Sequence, residues 1–124
     1  MQEKIRVLIA DDHPFVRLGL AAVFEVWDDL ELTGEARNGK EAIELAEQLQ
    51  PDVVLMDLIM PVMDGIIATR NIRQKFSHIQ VIVLTSTIEM DLINRALEAG
   101  AKGYVIKTVT IDQLAAAIRS AVEI

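Results

Sequence analysis

The sequence predicts a doubly wound α/β domain of three layers, with a five-stranded parallel sheet between two sets of helices. Two observations carry that prediction. Short apolar runs rich in β-branched residues recur along the chain, and between them the apolar positions repeat with helical rather than alternating spacing. Five repeats of strand then helix require right-handed crossovers, which lay helices on both faces of a parallel sheet.

Four of the runs are almost continuously apolar: Ile5 to Ala10, Val53 to Met56, Val81 to Leu84 and Tyr104 to Ile106. Strands covered on both faces read this way. Leu30 to Ala36 alternates less cleanly and contains Gly34, so it reads as an edge strand. Pro14 opens a helix where its missing N–H costs little, and Val16, Leu20, Val23, Phe24 and Trp27 follow as its apolar positions. Asn38 precedes Glu41 by three residues and Thr110 precedes Gln113 likewise, so both pairs read as capping boxes at helix starts. Pro51 and Gly100 mark helix exits. Leu114, Ala117, Ile118, Ala121 and Val122 form one apolar stripe, predicting a last helix that runs to Ile124.

A chain of 124 residues suits one domain, and one of this size buries roughly two thirds of its unfolded surface. No apolar run approaches the ~18 residues of a membrane span, no basic leader precedes an apolar stretch, and cysteine is absent. A soluble cytoplasmic protein with no membrane attachment is therefore expected. The net charge of -7 opposes direct contact with a nucleic-acid backbone.

In an open parallel sheet, ligands bind outside the carboxyl ends of the strands. Asp11 and Asp12 follow the first run, Asp57 the third, Thr85-Ser86-Thr87 the fourth, and Lys107 the fifth. Three carboxylates at one edge repel one another at neutral pH unless a cation intervenes. A hard divalent ion such as Mg²⁺ meets that need through oxygen ligands and leaves room for a phosphate oxygen. Lys107 supplies a second positive charge and Thr85 a hydroxyl donor. Together these suit phosphoryl transfer to an aspartate, in which the protein chiefly positions groups and neutralises oxygens. His13 reads as a residue of the helix start, because magnesium favours oxygen over nitrogen ligands. Met56, Met60, Met63 and Met90 read as core or loop packing.

Asp11-Asp12, the stretch from Met56 through Asp57-Leu58-Ile59-Met60-Pro61 to Asp64-Gly65, Leu84-Thr85-Ser86, and Gly100 through Tyr104 to Lys107 resemble, in order, the signatures of bacterial two-component receiver domains. The resemblance covers essentially the whole chain, residues 1–124. It implies the CheY-like, flavodoxin-like strand order 2-1-3-4-5 and a phosphoacceptor at Asp57. It further implies Mg²⁺ on Asp12, Asp57 and the backbone carbonyl of Ile59 with Asp11 close behind, and phosphoryl contacts from Lys107 and Thr85. The donor implied is a phosphohistidine on a sensor histidine kinase. The chain would be a signalling receiver that assists its own phosphorylation and dephosphorylation, not a turnover enzyme. Thr85 and Tyr104 are implied as the switch that reads out phosphorylation, with Thr85 drawn to the phosphate and the Tyr104 ring moving inward.

The stretch Asp11-Asp12-His13-Pro14-Phe15-Val16-Arg17-Leu18-Gly19-Leu20 is similar to the NarL/FixJ subfamily, whose receivers precede a LuxR-type helix-turn-helix domain. It implies that the chain is part of a transcription regulator whose DNA-binding domain lies outside it, the alternative being a stand-alone receiver. Phosphorylation-dependent homodimerisation, through the last helices or the first and last together, is also implied. Thr108 stands where many members carry a cis proline; a non-proline cis bond costs about 2.5–4 kcal/mol, so a trans bond is expected. Ile59 and Thr87 occupy positions that tune hydrolysis in the family, and a branched Ile59 implies slow autodephosphorylation. A phosphatase with an aspartate nucleophile would instead carry Asp-x-Asp after its first strand, whereas here the aspartates are adjacent. A receiver used only for dimerisation would have lost Asp57 or Lys107, and both are present.

Overall fold

A computed structural model describes residues 4–86 and 88–123. Five strands alternate with five helices in the order β1 (Ile5–Ala10), α1 (Pro14–Phe24), β2 (Leu30–Ala36), α2 (Gly39–Leu49), β3 (Val53–Met56), α3 (Gly65–Lys75), β4 (Gln80–Thr85), α4 (Met90–Glu98), β5 (Gly103–Ile106) and α5 (Ile111–Ala121). The strands pair in the order β2-β1-β3-β4-β5, all parallel. The doubly wound topology expected from the sequence is the one formed.

Side chains alternate across the sheet, so each strand feeds two cores. Leu8, Val54, Met56, Val81 and Val83 pack on one face with Ala42 and Ala46 of α2, Ile66 and Ile72 of α3, and Ala96 of α4. Val7, Ile9, Val53, Leu55, Ile82 and Leu84 pack on the other with Phe24 of α1 and Leu114, Ala115 and Ile118 of α5. Each fully buried branched side chain contributes roughly 1.5–3 kcal/mol. The small alanines of α2 let that helix lie close to the sheet.

The edge strand β2 reads uncleanly because it is bulged. Val7 faces Leu32 but Leu8 faces Gly34, leaving Thr33 as the extra residue. Arg6 fills the irregularity, donating to Thr33 Oγ1 at 2.8 Å and to the Leu49 carbonyl at the end of α2 at 2.7 Å.

Capping follows the sequence at α5, where Thr110 and Gln113 form a reciprocal capping box. At α2 the Asn38 side chain accepts from the Glu41 amide at 2.8 Å, but the Glu41 carboxylate accepts from Arg37 instead, at 3.3 Å. Pro14 occupies the first turn of α1 with His13 as its N-cap. Two helix ends depart from expectation. The first helix stops at Phe24, so Trp27 lies beyond it in the connection to β2; α5 stops at Ala121 with Val122 as its C-cap, and Ile124 lies outside the described residues. Trp27 nevertheless packs on the core, and Arg119 of α5 stacks on its ring at 4.7 Å while donating to Asp29 at 2.7 and 2.8 Å. Among the described residues no peptide bond is cis, and no helix is long and apolar enough to cross a membrane.

Candidate functional site

Backbone pairing continues one residue past three strand ends and thereby fixes the acidic edge. The Asp11 amide donates to the Ala36 carbonyl at 3.0 Å, the Asp57 amide to Ala10 at 2.9 Å, and the Lys107 amide to Thr85 at 2.7 Å. Asp11, Asp57 and Thr85 are buried. The parallel sheet thereby brings the ends of β1, β3 and β5, far apart in the chain, to one edge.

Lys107, with a side chain only 14% exposed, places its ammonium 2.7 Å from Asp11 Oδ2 and 3.5 Å from Asp57 Oδ2. His13 Nδ1 stands 2.9 Å from Asp11 Oδ1 and 3.2 Å from Asp12 Oδ1, and the His13 amide donates to Asp11 Oδ1 at 2.9 Å. Burial pushes the Asp11 carboxyl up, but hydrogen bonds from Lys107 and from the His13 amide and ring outweigh it, and the net shift is downward. Asp57 moves the other way. Its burial is the largest cause, and the charges of Asp11 and Asp12 add to it, against Lys107 and the Ile59 amide.

One lysine thus pairs with two of the carboxylates, and the third, Asp12, has the His13 ring beside it. Oxygens of Asp11, Asp12 and Asp57, with a ring nitrogen of His13, lie within 4.8 Å of one another. Asp12 Oδ1 is shielded from solvent and takes no hydrogen bond. A shielded carboxylate oxygen with only the His13 ring near it, beside two more carboxylates, is an environment a hard divalent cation satisfies, so these residues fit Mg²⁺.

The expected site residues divide by position. Asp11, Asp12, Asp57, Thr85 and Lys107 gather at the carboxyl edge of the sheet. Ile59 lies in the loop after Asp57 with its side chain turned outward, the residue being 65% exposed. Tyr104 is in β5, paired with Val83 and 43% exposed. Thr87 lies outside the described residues. Met56 and Met60 are buried as expected, while Met90 stands at the surface at the start of α4.

Two contributors escape a reading of the residues one by one. Gly65 begins α3 directly against the strand end: a Cβ there would overlap the Asp57 carbonyl oxygen and stand 2.9 Å from Leu58 Cα. Its amide donates to the Leu58 carbonyl at 2.9 Å, closing the loop. Asp64 just before it caps the helix, accepting from the Ile66 and Ile67 amides at 2.9 and 3.0 Å. Arg17 is the second, and its guanidinium reaches back from α1 to the Asp11 carbonyl at 2.6 Å.

Comparison with known proteins agrees with this geometry. Residues 7–119 match the response regulator receiver domain family. The chain is 50% identical over 117 residues to the transcriptional regulatory protein LiaR of Bacillus subtilis strain 168, covering 94% of this chain and 56% of LiaR. It is 44% identical over 115 residues to the response regulator protein VraR of Staphylococcus aureus strain Mu3, covering 93% of this chain and 55% of VraR. The chain therefore spans little more than half the length of these relatives. Among solved structures, the signal receiver domain of the response regulator NarL from Mycobacterium tuberculosis superposes with a TM-score of 0.93 at 31% identity, over 98% of each chain. With the acidic edge, the strand order and these relatives in agreement, the chain belongs to the response regulator receiver domain family, on its NarL/FixJ branch.

Proposed function

We propose that the protein serves phosphorelay signalling: Asp57 accepts a phosphoryl group from a phosphohistidine of a sensor histidine kinase, and the domain switches an output in response. The observation that carries this reading is the cluster of three carboxylates at the carboxyl edge of the sheet, two of them paired with the mostly covered Lys107. In the transfer, an Asp57 carboxylate oxygen bonds to phosphorus as the P–N bond breaks and the electron pair leaves with the imidazole. Asp12, Asp57 and the backbone carbonyl of Ile59 would hold Mg²⁺, with Asp11 close behind. Bound there, the ion neutralises charge on the phosphoryl oxygens. Lys107 moves from Asp11 toward the new phosphoryl group, and the Thr85 hydroxyl donates to it. Slow autodephosphorylation belongs to the same proposal, resting on the branched, apolar Ile59 two residues after Asp57 rather than on a contact, since its side chain is turned outward.

The switch is a two-state equilibrium biased by these charge-assisted hydrogen bonds. Thr85 and Tyr104 lie on neighbouring strands of the same sheet, and Tyr104 starts from a half-exposed position. The name of LiaR supports transcription as the output, and the greater lengths of LiaR and VraR leave room for a DNA-binding domain outside residues 1–124. Homodimerisation on phosphorylation is part of the same proposal. An apolar groove of about 280 Å³ between α1 and the start of α5, lined by Phe15, Leu20, Val23, Ile111 and Leu114, offers a surface for a second copy.

Acetyl phosphate with Mg²⁺, followed by intact mass, tests the acceptor: one phosphoryl group per chain is expected, and none on Asp57→Asn. Unchanged labelling of the variant would remove Asp57 from its role. A label lost within seconds would count against slow hydrolysis. Sizing with and without beryllofluoride tests the dimer, and an unchanged monomer would exclude it for these residues.

A further inference from the structure

The stretch from Asp11 to Leu20 contains one charged residue that phosphoryl transfer leaves without a task. Arg17 lies on α1, faces the sheet edge with a side chain 15% exposed, and donates through one terminal nitrogen to the Asp11 carbonyl at 2.6 Å. Its Nε stands 3.6 Å from Glu35 Oε1 on the neighbouring strand β2. A planar guanidinium holds two such partners in fixed relation, as a lysine ammonium does not.

The carbonyl it grips sits where the chain leaves the sheet. The Asp11 amide is tied to Ala36 in the β1–β2 ladder, whereas the Asp11 carbonyl belongs to the next peptide, the one joining Asp11 to Asp12. Asp12 lies in a bend between the strand and the His13 N-cap, outside regular structure. Rotation about ψ of Asp11 turns that carbonyl and, with it, the course of the chain that carries the Asp12 carboxylate. The Arg17 bond stops that rotation.

We propose that Arg17 is a positioning residue for divalent-cation binding: by locking the Asp11–Asp12 peptide from α1, with Glu35 bracing the guanidinium, it holds the Asp12 carboxylate aimed into the acidic site. This inference rests on the reading of that site as a Mg²⁺ site. It makes a prediction opposite in sign to that of charge alone. A cationic side chain beside a cation site repels the ion, so removing Arg17 would tighten binding if charge were its only effect. Loss of positioning weakens binding instead, as deletion of a partner that orients a ligand typically costs 10–100-fold in metal affinity.

The test is calorimetric titration of Mg²⁺ alone, without phosphodonor, into the wild-type chain and into Arg17→Ala, Arg17→Lys and Glu35→Gln, with urea unfolding in EDTA as the control. Arg17→Ala is expected to raise the Mg²⁺ Kd by about tenfold or more, with part of the loss restored by Arg17→Lys and a smaller loss in Glu35→Gln. A merely structural role would lower unfolding stability and leave the Kd of the folded protein unchanged. If wild type binds Mg²⁺ and folded Arg17→Ala binds it equally or more tightly, the inference is overturned while the proposed function stands. If wild type does not bind Mg²⁺, the functional reading itself fails. Should Arg17→Ala not fold, Arg17→Lys decides: a weakened Kd supports the inference and an unchanged one overturns it.

Discussion

Replacing Asp57 by asparagine removes one charge from the acidic edge while keeping the shape of the side chain. The structure sets the size of the effect. At an effective dielectric of about 20, unit charges at the 4.8 Å limit of the cluster repel by roughly 3.5 kcal/mol. Asp57 faces two such neighbours, Asp11 and Asp12. Lys107, 3.5 Å away, returns roughly 5 kcal/mol on the same scale, which leaves about 2 kcal/mol of net repulsion before the cost of burying the charge. Without divalent ions, Asp57→Asn should therefore be more stable than wild type by about 2 kcal/mol, a rise in Tm of roughly 6–10 °C. Because Asp57 titrates above its ordinary range when folded, the folded state keeps a proton that the unfolded chain has released. Wild-type stability thus falls as pH rises from the usual carboxylate value, about 3.9, through the raised folded one, and the advantage of the variant grows across that window and is absent below it. Thermal unfolding followed by circular dichroism in EDTA, at several pH values, measures this directly. Equal stabilities near neutral pH, or a less stable variant, would refute the charge balance.

Other substitutions probe the remaining supports. Gly65→Ala drives a methyl group into the Asp57 carbonyl and should cost roughly 1–3 kcal/mol in urea unfolding, with slower labelling of Asp57 by acetyl phosphate. Lys107→Met strips the buried Asp11 of its partner; a loss of about 3–5 kcal/mol is expected in EDTA, and added Mg²⁺ should recover part of it, so a variant as stable as wild type in EDTA would count against the pair. Thr110→Ala removes one half of the α5 capping box and should lower stability by about 1 kcal/mol, leaving phosphodonor labelling of Asp57 unchanged.

Much of the fold was legible because parallel strands buried on both faces must be apolar throughout. The bounds of β1 and β3 coincide with their apolar runs and those of β2 with the expected edge strand, whereas β4 extends to Gln80 and Thr85 and β5 to Gly103. Backbone pairing continues where side-chain character changes, so polarity marks strand ends only approximately. Helical periodicity misled at Trp27, which keeps the spacing and the core packing after α1 has stopped. At the site, residue identities were legible because the sheet fixes which strand ends meet. Pair geometry was not: that Lys107 rests closer to Asp11 than to Asp57 depends on side-chain torsions. Gly65 and Arg17 were hidden for another reason, since close approach and a reach back from a helix exist only once the chain has folded.

The stacking of Arg119 on Trp27 has a practical use. Trp27 is the only tryptophan in the chain, and its indole is pinned between the connection to β2 and the last turn of α5. Tryptophan emission therefore comes from a single known place, at the end of the molecule opposite the acidic edge. Any rearrangement that loosens α5 there changes the ring's cationic neighbour and registers as a spectral shift, giving an unlabelled optical gauge of whether events at Asp57 travel the length of the sheet.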